Sequence, residues 1–166
     1  MANTINTIKV KKYSDVIEEF VATDAAITPG MLLEIHTDGK VRAHSGADKD
    51  VFPMFALENE LLGKGIDDAY AVSAPIQCWI PYRGDIVNAI LADGENVAIG
   101  NALTSDGYGR LKKHVTDVGA SAAELVSVYP LQIVGYAAEA LDLSGSSGTE
   151  VSGPLGYHKR LLVRIA

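Results

Sequence analysis

The sequence predicts an all-β fold with minor α content: a small β-barrel built from two similar strand–hairpin–strand units, with an extended N-terminal arm. Three observations predict it. Short runs rich in Val, Ile, Leu and Tyr are broken by Gly, Pro and Asp-Gly, and 16 glycines with 7% aromatics suit many short strands joined by tight turns. Two stretches, "LEIHTDGKVRAH" (33–44) and "LTSDGYGRLKKH" (103–114), each carry an Asp-Gly hairpin signal followed by basic residues and a histidine. The order of signals around these two stretches recurs along the chain.

Taken in order, residues 1–15 read as the arm. They hold small polar residues, then Ile8, Val10, Lys9, Lys11 and Lys12, and "TIKVKKY" alternates as an exposed strand does. With no evident core role, the segment needs a partner to order it. On this reading, removing 1–14 leaves the fold intact. Residues 16–166 form a single barrel domain. Pro29-Gly30 marks a turn, because Pro presets φ and Gly permits positive φ. Strands follow at Met31–Ile35, Lys40–Ala43 and near 52–57. "AYAVSAPIQCWIPYRGDIVNAIL" supplies two or three more, with Pro75, Pro81 and Gly84 marking edges or corners. "TDVGASAAELVSVYP" reads equally as a short helix or a loop. "LQIVGYAAEALDL" is strand-like around 131–138. "SGSSGTEVSGPLG" (144–156) is a Gly/Ser loop, and "YHKRLLVRIA" closes as a strand.

The two units span about 27–91 and 97–166. The first runs Gly30, Leu33, Asp38-Gly39, Val41; the second runs Gly100, Leu103, Asp106-Gly107, Leu111. Phe55-Ala56-Leu57-Glu58 is echoed by Tyr136-Ala137-Ala138-Glu139, and "GDIVNAIL" more loosely by "KRLLVRIA". The offset is 70 residues between the glycines, 68 between the aspartates and 81 between the alanines. Loop insertions account for such drift, since lengthening a surface loop costs little. Two copies of the unit would cover each other's exposed edges in one small barrel.

Composition narrows function. The formal charge is -7, from 14 Lys+Arg against 21 Asp+Glu, so phosphate backbones and anionic lipid surfaces are disfavoured partners. No apolar run approaches the ~18 residues of a membrane span. The polar N-terminus lacks the apolar core of a secretory signal, so synthesis in the cytoplasm is expected. The single cysteine, Cys78, permits no intrachain disulfide and reads as a buried core thiol.

The reactive side chains form no recognisable catalytic or metal constellation. His36, His44, His114 and His158 share no metal-type spacing with Cys, Asp or Glu. His36 and His44 flank one hairpin and read as solvated. Asp67-Asp68 lies in a polar loop. Ser73 and Ser105 lack a nucleophile-elbow context. "GYG" (107–109) precedes no helix that would complete a phosphate site, and "LGKG" (62–65) is half a P-loop at most. Three basic groups, Lys9/Lys11/Lys12, Arg110/Lys112/Lys113 and Lys159/Arg160, suit either solvated strand surface or an acidic protein partner.

The series "ITPGMLLEIHTDGKVRAHS", "PMFALENE", "VAIGNALTSDGYGRL", "IVGYAAEAL" and "LLVRIA" resembles the capsid decoration (cement) proteins of tailed bacteriophages. It is similar in particular to those with a small β-barrel or β-tulip head and an N-terminal arm. The resemblance covers about 16–166 and rests on the order of motifs. It implies a non-enzymatic protein without cofactor or metal that binds the major capsid protein. It implies a place on the outer surface of the virion, reached after synthesis in the host cytoplasm. It further implies a homotrimer, or a dimer, that clamps neighbouring capsomers, with no nucleic-acid or membrane partner. Within it, Ile8, Lys9, Val10, Lys11, Lys12 and Tyr13 are the expected capsid-binding residues, the apolar pair burying and the lysines meeting acidic rims. Two other readings stand beside it. One is a head-fibre base or carbohydrate-binding module using Tyr82, Tyr108, Tyr129 and Tyr157. The other is a small hydrolase using the histidines.

Overall fold

A computed structural model describes residues 5–13, 15–23, 27–116, 129–146 and 159–166. The ambiguous segment "TDVGASAAELVSVYP" lies mostly outside these residues, as do most of the Gly/Ser loop, Tyr157 and His158. The described chain is almost entirely β. Its strands are β1 (Lys9–Lys11), β2 (Ile17–Val21), β3 (Leu33–Ile35), β4 (Val41–Ala43), β5 (Phe55–Ala56), β6 (Pro75–Trp79) and β7 (Ile86–Ile90). They continue as β8 (Asn96–Val97), β9 (Ala102–Ser105), β10 (Leu111–Lys113), β11 (Gly135–Ala137), β12 (Leu141–Asp142) and β13 (Arg160–Ile165). One 3-10 turn, Glu60–Leu62, interrupts them.

The largest sheet has six antiparallel strands in the order β1, β7, β13, β11, β9, β10. A three-stranded sheet runs β2, β6, β5, and β3–β4 and β8–β12 form two-stranded sheets. None of these sheets closes on itself among the described residues. An isolated parallel bridge joins Leu91, just past β7, to Leu111 on β10, with Ala92 N–H donating to Leu111 C=O at 2.7 Å.

Strand alternation divides the core in two. Trp79 and Phe55, opposite each other on β6 and β5, face a large cluster with Ile8, Val87, Leu103, Leu161 and Val163. Their neighbours Cys78, Ala56 and Ile76 face a second cluster with Leu33, Val41 and Met54. The three-stranded sheet therefore separates two apolar layers. Cys78 is fully buried, and burial, helped by the charge of Glu18, pushes its thiol pKa up to about 12.

The hydrogen bonds recur between the two halves. Gly30 N–H donates to Ala56 C=O, and Gly100 N–H to Ala137 C=O, both at 2.8 Å. Ala56 N–H returns to Met31 C=O and Ala137 N–H to Asn101 C=O, at 3.0 and 2.9 Å. His44 N–H donates to Leu32 C=O, and His114 N–H to Ala102 C=O, at 3.0 and 2.8 Å. Across the hairpins Ile35 pairs with Val41, and Ser105 with Leu111. Every hairpin correspondence here has an offset of 70.

That corrects the 68-residue match of the two Asp-Gly pairs. Gly39 (φ 77°) corresponds to Gly109 (φ 74°), and Asp106 corresponds to His36. The ladder sets the register, and the second loop simply carries an additional positive-φ glycine, Gly107. The jump to 81 beyond the hairpin reflects an insertion before β11.

Candidate interaction surface

Segment 7–13 is tied down at both ends by buried carboxylates, which corrects the expectation of an arm with no core role. Ile8 is fully buried. Its C=O accepts Asn88 N–H at 2.9 Å, and β1 pairs with β7 through a bulge between Lys9 and Lys11. Glu58, only 6% exposed, accepts Thr7 Oγ1–H at 2.5 Å and lies 3.3 Å from Ile8 N through each oxygen. Asp85, fully buried, accepts Tyr13 N–H through one oxygen and Tyr82 N–H through the other, both at 2.7 Å. Each carboxylate thus satisfies two donors, which makes its burial tolerable. Removing 1–14 would strip Ile8 from the core, take both donors from Glu58 and take one of two from Asp85, so truncation is no test of binding.

Of the six expected contact residues, Ile8 is core, while Lys9 and Val10 are half-buried. Lys9 and Lys12 both reach Asp15, whose carboxyl the Lys12 hydrogen bond, with Lys9 nearby, holds below the usual range. Lys11 and Tyr13 remain open, Tyr13 being 81% exposed.

Sharing Asp85 brings Tyr13 beside Tyr82, which is 61% exposed. The same end of the six-stranded sheet carries a cross-strand row. Lys11 pairs with Ile86, Ile86 with Arg164, Arg164 with Tyr136, and Tyr136 with Ala102. Tyr136 lies between buried Gly135 and Ala137, and Arg164 between buried Val163 and Ile165, so alternation turns both outward. Arg164 Nη1 donates to Gly84 C=O at 3.2 Å, which draws the guanidinium toward the 82–85 turn and Arg83. The result is three exposed tyrosines among three cations, Lys11, Arg83 and Arg164, on a chain of net charge -7. Tyr and Arg supply most of the energy at protein contacts, through large rigid area and charge-assisted bonds.

The other candidates are taken up by the fold. His44 is 4% exposed, which corrects its reading as a solvated residue. Its Nδ1 lies 2.8 Å from Ser105 Oγ, and its Nε2 lies 3.3 Å from Asp50 O and 3.8 Å from Glu34 Oε2. Serine, histidine and acid thus stand in nucleophile order. Yet Ser105 is fully buried and its Oγ accepts Gly107 N–H at 3.1 Å, so the serine presents no face to a substrate. His36 turns to Asp38 at 3.0 Å. A cavity of about 230 Å³ beside His44 is walled by Leu33, Ile35, Phe52 and Met54.

Asp67 pairs with Arg160, and Asp68 accepts Gly65 N–H. Arg110 pairs with Asp106 at 2.6 Å and lies over the Tyr108 ring, and Lys112 pairs with Asp48. Lys159 meets Asp93, and Arg160 is buried against Pro29 and Ile66 carbonyls. Among the described residues no group of three or more His, Cys, Asp or Glu side chains is placed to hold a metal.

Arg164, Tyr136, Arg83, Asp85 and Glu58 were not among the expected residues. Alternation in "RLLVRI" points Arg164 outward, a signal readable in the sequence. The meeting of Tyr13 with Tyr82 has no local signal, because it passes through an acid 72 residues away.

No protein-family model matches the chain, and no curated protein matches it at a significant level.

Proposed function

We propose that the chain is a non-enzymatic capsid decoration protein of a tailed bacteriophage. In this reading it binds the major capsid protein on the outside of the head and, as a homotrimer or dimer, clamps neighbouring capsomers. The observation that carries the reading is the rigid tyrosine–cation surface of Tyr13, Tyr82, Tyr136, Lys11 and Arg164. Its backbone is fixed by Asp85 and by sheet pairing, so docking orders few residues and loses little entropy. The order of sequence motifs supports the same reading. The head is then a small barrel, the six-stranded sheet being carried round from β10 to the end of β7 through the Leu91–Leu111 bridge.

The test is sedimentation with expanded, undecorated heads. The native chain should co-sediment at stoichiometric occupancy, and the double variant Lys11→Glu/Arg164→Glu should bind about 100-fold more weakly while keeping its fold. Full occupancy by the variant, or no binding by the native chain, overturns the reading. The three open tyrosines also favour a second reading, a carbohydrate-binding module, since aromatic faces stack on sugar rings. Saturable glycan-array signals lost in Tyr82→Ala would replace the first reading with this one.

A further inference from the structure

The two edges formed by β1 and β2 differ in a way that assigns a second interface. β1, the outer strand of the six-stranded sheet, is short, bulged and flanked by lysines, the usual devices that prevent edge-to-edge pairing. β2, the outer strand of the three-stranded sheet, has none of them. It pairs with β6 in unbroken register over five residues and contains neither Pro nor Lys. Four of its five residues are exposed, with Ile17 at 40% and Val21 at 39%, and Val16 just before it is 37% exposed.

The ladder shows which backbone groups are open. Ile80 N–H donates to Val16 C=O, and Ala22 N–H donates to Ala74 C=O. In antiparallel pairing the inward-bonding residues alternate, so Val16, Glu18, Phe20 and Ala22 bond toward β6. Ile17 and Glu19 therefore turn their N–H and C=O groups away from it, and no described residue takes up those of Ile17 or Glu19. Past Ala22 the edge ends, because Val41 bridges to Ala22.

We propose that β2 accepts an extended basic strand from a partner protein by β-augmentation. The partner strand sets one lysine or arginine opposite Glu19, between apolar residues that lie against Ile17 and Val21 on the same face, and an adjacent lysine or arginine opposite Glu18 on the other face. A second copy of β2 is disfavoured as occupant, because antiparallel self-pairing about Glu19 sets that carboxylate against its own counterpart. Like charges directly opposite destabilise a strand pair. Main-chain bonds supply affinity here and the two glutamates supply sign selection. The site uses none of the side chains of the tyrosine–cation surface, and the inference does not rest on that reading.

The test uses the full chain, labelled with 15N, and two synthetic heptapeptides, one carrying two adjacent lysines placed to face Glu18 and Glu19 between valines placed to face Ile17 and Val21, and one with two glutamates in place of the lysines, the remaining positions being threonine. The lysine peptide should shift the amides of Ile17, Glu19 and Val21 saturably, binding at least about ten-fold more tightly than the glutamate peptide. Glu19→Pro should abolish the shifts. It removes an outward N–H and leaves the β6 ladder whole, since Pro is tolerated on the open side of an edge strand. Glu19→Lys reverses the preference between the peptides and serves if the proline variant does not fold. Equal affinity for the two peptides, or no shift at these three amides, overturns the proposal. So does concentration-dependent broadening of the three amides without peptide, lost in Glu19→Lys, which would place a second copy on the edge.

Discussion

His44 and His114 stand at the same position of two hairpins and donate the same backbone bond, yet their side chains have different fates. His44 is buried between Ser105 and Asp50 O, whereas the buried Nδ1 of His114 has no hydrogen-bond partner among the described residues. The turn glycines diverge in the same manner. A methyl group on Gly30 would lie 2.9 Å from Asn88 O, and one on Gly109 3.0 Å from Ala43 Cβ. At their equivalents, Gly100 and Gly39, a methyl group would meet nothing within 4 Å among the described residues. Backbone pairing has repeated while side-chain surroundings have not. The hydrogen bonds of the unit are set by strand register, and each copy's tightness is set by what packs over it.

Substitutions at these matched positions can break that comparison, the largest first. Gly30→Ala should lose about 3 kcal/mol or more in urea unfolding, from strained positive φ plus backbone overlap. Gly100→Ala, with the strain alone, should lose about 1 kcal/mol. Equal losses would show that the halves are packed alike. Gly109→Ala should lose about 2 kcal/mol and Gly39→Ala about 1 kcal/mol, which separates the two hairpin loops by overlap alone. Cys78 provides an independent readout, since a buried thiol should react with a thiol reagent only as the fold opens.

Smaller effects follow at the histidines. Ser105→Ala should destabilise by about 1 kcal/mol by removing a partner of His44. His114→Leu should be close to neutral, because it removes a buried nitrogen that has no partner among the described residues. The smallest difference concerns acid. Hairpin β3–β4 has a cross-strand Arg42–Glu34 pair at 2.6 Å, where β9–β10 has Lys112 opposite Thr104. Burial raises the Glu34 carboxyl pKa, but bonds from Ser45 and Arg42 outweigh it and leave the pKa lowered. A carboxyl depressed in the folded state contributes above its unfolded pKa, and the contribution is lost as pH falls through the folded value. Amide exchange should therefore quicken at 33–43 before 103–113 as pH drops below the ordinary carboxylate range. Glu34→Gln should remove the difference.

The sequence shows the β class, both hairpins and the paired turn glycines, because turn chemistry and alternation are local. It misplaces the second Asp-Gly by two residues, since "SDGYGR" offers two glycines and only the ladder chooses between them. Ile8 looks exposed between polar neighbours because its burial depends on Glu58 and Asp85, far along the chain. Lys11 and Tyr13 of the interaction surface are legible as an alternating basic segment. The placement of Tyr82, Tyr136 and Arg164 beside them depends on strand order, and no nearby residue encodes that order.

Strand β7 lies between β1 and β13, and β13 begins 70 residues after β7 ends. During synthesis β7 is complete long before the partner with which it shares its longest ladder in that sheet. Its far side stays bare until residues 160–165 emerge. Pairing over so long a loop is slow, and an apolar strand left waiting is prone to join another chain. Refolding should therefore be limited by the arrival of β13, with yield falling as protein concentration rises.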